Sequence, residues 1–157
     1  MTTVSKDFWM DFTFEAVEDT PDTPVGLLKS QASMLSPKTN GLLKGEISTY
    51  TEQSVIYNTL DIVAPQLDYY RYALIQVVSG AAPYPVFVYD RSGVDYTHHS
   101  VPVKFPNIPV PKLPKASFAA RDYVEFEKAI ADILSSKETA SIIRSLMSQS
   151  QALLSAS

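Results

Sequence analysis

Cysteine is absent, which excludes disulfides, thiol nucleophiles and cysteine-ligated zinc or iron–sulfur centres. Histidine is nearly absent: His98 and His99 are the only two. No His-x-x-x-His spacing exists, so a helical zinc site of that kind is excluded. The five glycines, at positions 26, 41, 45, 80 and 93, never cluster. Without such a cluster there is no loop to cradle phosphates, no dinucleotide fingerprint and no Gly-x-Ser-x-Gly nucleophile elbow.

Charge is also sparse. Charged residues make up 19% of the chain, and 17 acidic against 13 basic side chains give a net charge of −4. That balance argues against nucleic acid as a partner, because phosphate-driven binding needs a basic face. Apolar runs extend only a few residues, far short of the ~20 that span a bilayer, so no membrane partner is expected. The start, Met1 to Asp7, has no basic region followed by an apolar one. The expected address is the cytoplasm.

The 157 residues are 45% hydrophobic, enough for one domain over 1–157 with its own core. From Asp7 to Ala16 apolar and polar residues alternate, with Phe8, Met10, Phe12 and Phe14 on one face, which is the period of a half-buried strand. Glu18-Asp19-Thr20-Pro21-Asp22 reads as a solvated acidic loop; it lacks the register and central glycine of a calcium loop. Thr23-Pro24 is a helix start, and Val25, Leu28, Ala32 and Leu35 predict a short amphipathic helix from about Pro24 to Leu35, stopped by Ser36-Pro37. Asn40-Gly41 is a turn signal.

Strands follow. Leu43 to Thr51 and Ser54 to Val63 are predicted as a hairpin linked at Glu52-Gln53, and Tyr70 to Ser79 as the next strand after a break at Ala64-Pro65-Gln66. Val86-Phe87-Val88-Tyr89 is nearly all apolar and predicts burial on both faces. Short links between consecutive strands favour an antiparallel meander. A last strand, Val94 to Lys104, is weakened by Pro102. Five of the eleven prolines stand between 102 and 114, so about 102–115 is predicted to be an extended connection. Asp122 with Glu125 three residues on forms a capping box. Phe126, Ile130, Ile133 and Leu134 then form one apolar stripe, and Ile142, Ile143, Leu146 and Met147 a second one beyond a break at Ser135-Ser136. The fold class that results is α+β. A mostly antiparallel sheet of four to six strands is covered by a C-terminal helix pair, with one short helix inserted near the N-terminus.

Two places offer a site. His98 and His99, with Asp95 and Tyr96 just upstream, are the one cluster suited to acid–base work. On a strand the two rings point to opposite faces and would not share a metal or a substrate. His98-His99-Ser100 fits the His-x-Ser/Thr element of two-histidine phosphodiesterases, but those need a second such element and this chain has none. The other place is Leu67-Asp68-Tyr69-Tyr70-Arg71-Tyr72, where strand parity sets Tyr69 and Arg71 on one face and Tyr70 and Tyr72 on the other. Exposed tyrosine and arginine are what protein-binding hot spots use. The competing explanation is that the tyrosines pack across strands with Tyr57, Tyr84 and Tyr89.

The candidate binding residues are therefore Tyr69, Arg71, Tyr96, His98 and His99, with no cofactor and no metal expected. The expected function is non-enzymatic protein binding in an inhibitor, immunity-like, adaptor or assembly role. Leu153 and Leu154, apolar near the chain end, mark the C-terminal helix as a self-association contact. The alternative is a small enzyme or ligand-binding domain with a pocket near His98 and His99.

Overall fold

The computed structural model describes residues 23–92 and 118–155. The strand expected at 7–16, the acidic loop, the strand expected at 94–104, the proline-rich connection, and Asp95, Tyr96, His98 and His99 lie outside the described residues.

Helix α1 runs from Pro24 to Lys38. Thr23 caps it: its Oγ1 accepts the Gly26 N–H at 3.0 Å, and Pro24 follows at the first helical position, where no N–H is needed. The expected stop at Ser36-Pro37 is not where the helix ends. Pro37 lies inside its last turn and forfeits only the single bond its own N–H would have made. Thr39 closes the helix instead. Its N–H donates to the Leu35 and Ser36 carbonyls, and its hydroxyl accepts the Leu43 N–H at 3.1 Å. Asn40 and Gly41 then turn the chain through left-handed backbone (φ 52° and 79°).

Four strands follow in sequence: β1 Lys44–Glu52, β2 Val55–Ala64, β3 Tyr70–Ser79 and β4 Val86–Asp90. A fifth, β5 Phe118–Ala120, was not expected from the sequence. Every neighbouring pair is antiparallel, in the order β1-β2-β3-β4-β5. The β1–β2 link is Gln53-Ser54, one residue later than predicted, with both residues left-handed. A 3-10 turn, Pro65–Leu67, separates β2 from β3.

The register slips between Leu60 and Asp61 of β2, because β3 contributes Leu74 as an extra residue there: Leu60 faces Ile75, whereas Asp61 faces Ala73. Leu74 and Ile75 are thus both buried, although adjacent strand residues normally point to opposite faces.

Two helices complete the described chain: α2 Tyr123–Leu134 and α3 Lys137–Ser155. The Asp122 carboxylate accepts the Glu125 N–H at 2.9 Å, as the capping box requires. Glu125 reaches back one residue further than the motif predicts, to the Arg121 N–H at 2.8 Å. The break at Ser135-Ser136 is real. Ser136 Oγ accepts the Thr139 N–H, and the buried Thr139 hydroxyl donates to the Ile133 carbonyl at 2.7 Å.

The core lies between one sheet face and the three helices. Leu60, Ile62, Leu74, Ile75, Val77, Val86 and Val88 meet Leu28, Phe126, Ile130, Ile133 and Leu146. In α1 it is Pro24, Leu27, Leu28 and Ala32 that are buried, rather than Val25. The expectation that β4 is buried on both faces is wrong: Val86 and Val88 are fully buried, but Phe87 is 43% exposed. The structure is an α+β fold with one antiparallel sheet, one helix before it and a helix pair after it.

Candidate functional site

Strand alternation and the register place one set of side chains on the sheet face opposite the core. Lys44, Glu46, Ser48 and Tyr50 come from β1; Tyr57, Thr59, Asp61 and Val63 from β2; Arg71, Gln76 and Val78 from β3; Phe87 and Tyr89 from β4. The helices contribute nothing to this face among the described residues, because their apolar stripes are spent on the other one.

One end of the face is charged. Arg71 donates from Nη1 to Asp61 Oδ2 at 2.8 Å and from Nη2 to Glu46 Oε1. Glu46 also pairs with Lys44 at 3.1 Å, and the Ser48 hydroxyl donates to Asp61 Oδ2 at 2.8 Å. The Asp61 side chain is only 9% exposed and takes its bonds from Arg71 and Ser48. Lys44 Nζ stands 5.8 Å from the centre of the Tyr69 ring, within cation–π range. Asp68 and Tyr69 are both left-handed, so Tyr69 belongs to the turn before β3 and is 65% exposed.

The other end is aromatic. Tyr50 and Tyr57 are direct cross-strand partners, with rings stacked 6° from parallel and centres 4.5 Å apart. Tyr50 is half exposed, and Phe87, 43% exposed, stands three strands away, in line with it across Tyr57 and Val78. Partial burial, reinforced by Tyr57 and Glu52, pushes the Tyr50 phenol above its ordinary value.

Of the residues singled out from the sequence, Tyr69 and Arg71 fall on the same side, as strand parity predicted. The turn rather than the strand sets Tyr69 there. Arg71 is committed to Glu46 and Asp61 within the chain. Tyr70 and Tyr72 take the opposite side, where they line a groove of about 550 Å³ against Ile142, Ser145 and Leu146 of α3. Tyr72 also donates to the Arg91 carbonyl at 2.6 Å. Cross-strand tyrosine packing does occur, between Tyr57 and Tyr50, and Tyr84 packs edge-on against Phe126. Tyr50, Tyr57, Glu46, Asp61 and Phe87 were not singled out. Their signal is the hairpin register, which a link one residue later brings into line.

A concavity beside β5 is lined by Glu125, Lys128 and Asp132 with Phe118, Ala119 and Ala129; Lys128 pairs with Asp132 at 3.9 Å and Glu125 with Arg121. A groove of about 620 Å³ between α1 and α2 is lined by Leu27, Gln31, Val124, Ile130, Ala131 and Leu134 together with Glu127, Lys128 and Ser135. The groove beside α3 has no carboxylate or imidazole in its lining. Among the described residues no helix is long and apolar enough to cross a membrane, and no three His, Cys, Asp or Glu side chains gather as a metal site would require. Compared with protein-family models, with curated proteins and with solved structures, the chain finds no match.

Two carboxylates bear on the response to acid. Glu46 is held below its ordinary value of 4.5 by hydrogen bonds from Lys44 and then Arg71, and Glu125 likewise by Arg121. A lowered folded value means that these pairs add stability above the unfolded value and lose it as pH falls through the folded one. The melting temperature is therefore expected to fall on acidification below about pH 4.5, with a shallower fall in Glu46→Gln with Glu125→Gln. Thermal melts of both proteins across the acid range check this. Parallel curves would remove the two carboxylates as its cause.

Proposed function

We propose that this chain is a non-enzymatic protein-binding module and that the sheet face opposite the helices is its recognition surface. The observation that carries this reading is the stacked Tyr50–Tyr57 pair in one cross-strand row with Val78 and exposed Phe87 on a hydrogen-bonded sheet. Aromatic side chains on rigid backbone lose little entropy on binding and dominate interface energetics. The ion-paired end, with Tyr69 at its margin, adds polar groups already fixed in position. Inhibitor, immunity-like, adaptor and assembly roles all use such a surface. A chain without cysteine suits a reducing compartment, and the cytoplasm is the address that goes with this reading.

The test is affinity capture from the native cell, followed by purification of the captured protein and titration against variants. Tyr50→Ser and Phe87→Ser are each expected to weaken binding ~10-fold or more, which corresponds to about 1.4 kcal/mol. Val124→Ser changes a side chain that is 72% exposed on α2, and is expected to leave affinity unchanged. Thermal melts should show all three variants folded. Binding that survives both serine substitutions on the sheet would reject this face. Turnover of a small molecule that depends on His98 or His99 would favour the enzymatic alternative.

A further inference from the structure

Strand β1 is an edge strand of nine residues, and among the described residues no strand lies on its outer side. An edge of this length offers a row of backbone donors and acceptors to another chain. Which residues offer them follows from the turn. Gln53 and Ser54, both left-handed, make a two-residue hairpin turn closed by Glu52 and Val55. That closing pair exchanges both of its hydrogen bonds inside the hairpin. Alternation along the ladder then turns the N–H and C=O groups of Gly45, Ile47, Thr49 and Thr51 outward. The strand contains no proline, and its half from Ser48 to Glu52 is exposed.

We propose that β1 pairs antiparallel with β1 of a second copy of this chain, about a two-fold axis at Ser48, joining the two sheets edge to edge. The charge pattern selects that occupant and that register. Outward groups must face outward groups, so odd-numbered residues pair with odd and even with even. Centred on Ser48, all of β1 is paired, and Lys44 stands opposite Glu52 of the second copy at both ends. Centring on Thr49 puts Glu46 opposite Glu52, and centring on Glu46 puts that residue opposite itself; like charges directly opposed are destabilising. Centring on Ile47 leaves Glu52 beyond the end of the other strand. Lys44 keeps donors for a second carboxylate, since its ammonium has three and its side chain is 44% exposed beside Glu46.

Light scattering on the size-fractionated full chain, across a concentration series, is expected to show twice the 17.4 kDa chain mass at the upper end. Glu52→Lys turns both attractive pairs repulsive and is expected to weaken dimerisation ~10-fold or more, with a melting curve unchanged at dilutions where both proteins are monomeric. Adding Lys44→Glu to it should restore most of the loss. Thr51→Pro removes an outward donor and should also weaken the dimer; if it does not fold, the charge variants carry the test alone. Leu153→Asp with Leu154→Asp, on the exposed end of α3, should leave the dimer intact. A monomer at every concentration, a dimer indifferent to Glu52→Lys, a charge swap that fails to restore it, or a dimer abolished by the α3 substitutions would each overturn the proposal.

Discussion

Gly45→Ala is expected to lower the unfolding free energy by about 3 kcal/mol, the upper part of the usual range for overpacking. A Cβ at Gly45 would stand 2.7 Å from both the Cα and the carbonyl oxygen of Ala32. Those are backbone atoms of α1 and cannot swing aside as a side-chain tip can. The whole helix would have to lift from β1, withdrawing Leu28 and Ala32 from the core. Chemical denaturation checks this, with a lower midpoint and an unchanged slope. Gly80→Ala is the control: a Cβ there meets nothing within 4 Å, so little change is expected. Equal effects at the two positions would show that close approach of α1 to β1 is not what requires glycine.

Phe126→Ala is expected to cost about 3–5 kcal/mol through lost burial and the cavity left behind. Phe126 is the largest of the fully buried side chains, and Tyr84 packs edge-on against it with ring centres 6.4 Å apart. The remaining buried anchors of α2 are Ala129, Ile130 and Ile133, so the ring is the largest single apolar group holding this helix in the core. Since a domain of this size is stable by only ~5–15 kcal/mol, such a loss consumes a large share of the total. Denaturation, with hydrogen exchange along Tyr123–Leu134, would read it. A loss under about 1 kcal/mol would mean that the site closes around the missing ring.

The sequence makes most of the architecture legible because local signals agree with the tertiary result. Thr23-Pro24, Asn40-Gly41, Asp122-Glu125 and Ser135-Ser136 are caps, turns and breaks whose chemistry acts within a few residues. What escaped depends on partners distant in sequence. Three residues, Phe118–Ala120, have no period of their own and become a strand only by lying beside Val86–Val88. The helix outlasts Pro37 because Thr39 and Leu43 hold its end. Phe87 reads as core until the register shows which side it takes.

The candidate surface was less legible for the same reason. Tyr69 and Arg71 stand out by composition, yet Arg71 is held by Glu46, 25 residues earlier. A hairpin link set one residue early opposes Tyr50 to Val55, whereas the observed link opposes it to Tyr57 and creates the stack.

Leu74 has a consequence for how β3 tolerates change. As the unmatched residue at the bulge, it acts as a phase shifter. Arg71 and Gln76 look toward the same side although they are five positions apart, which an uninterrupted strand forbids. Deleting Leu74 itself would leave Ala73 and Ile75 as neighbours in an unbroken ladder, at the cost of one buried leucine. Gln76 and Val78 would still face away from the helices and Val77 toward them. Deleting a paired residue such as Ala73 instead leaves Leu74 to take its place in the ladder and moves no face either. The bulge thus gives the middle of β3 one spare residue, whereas a second deletion would turn Gln76 to Ser79 over.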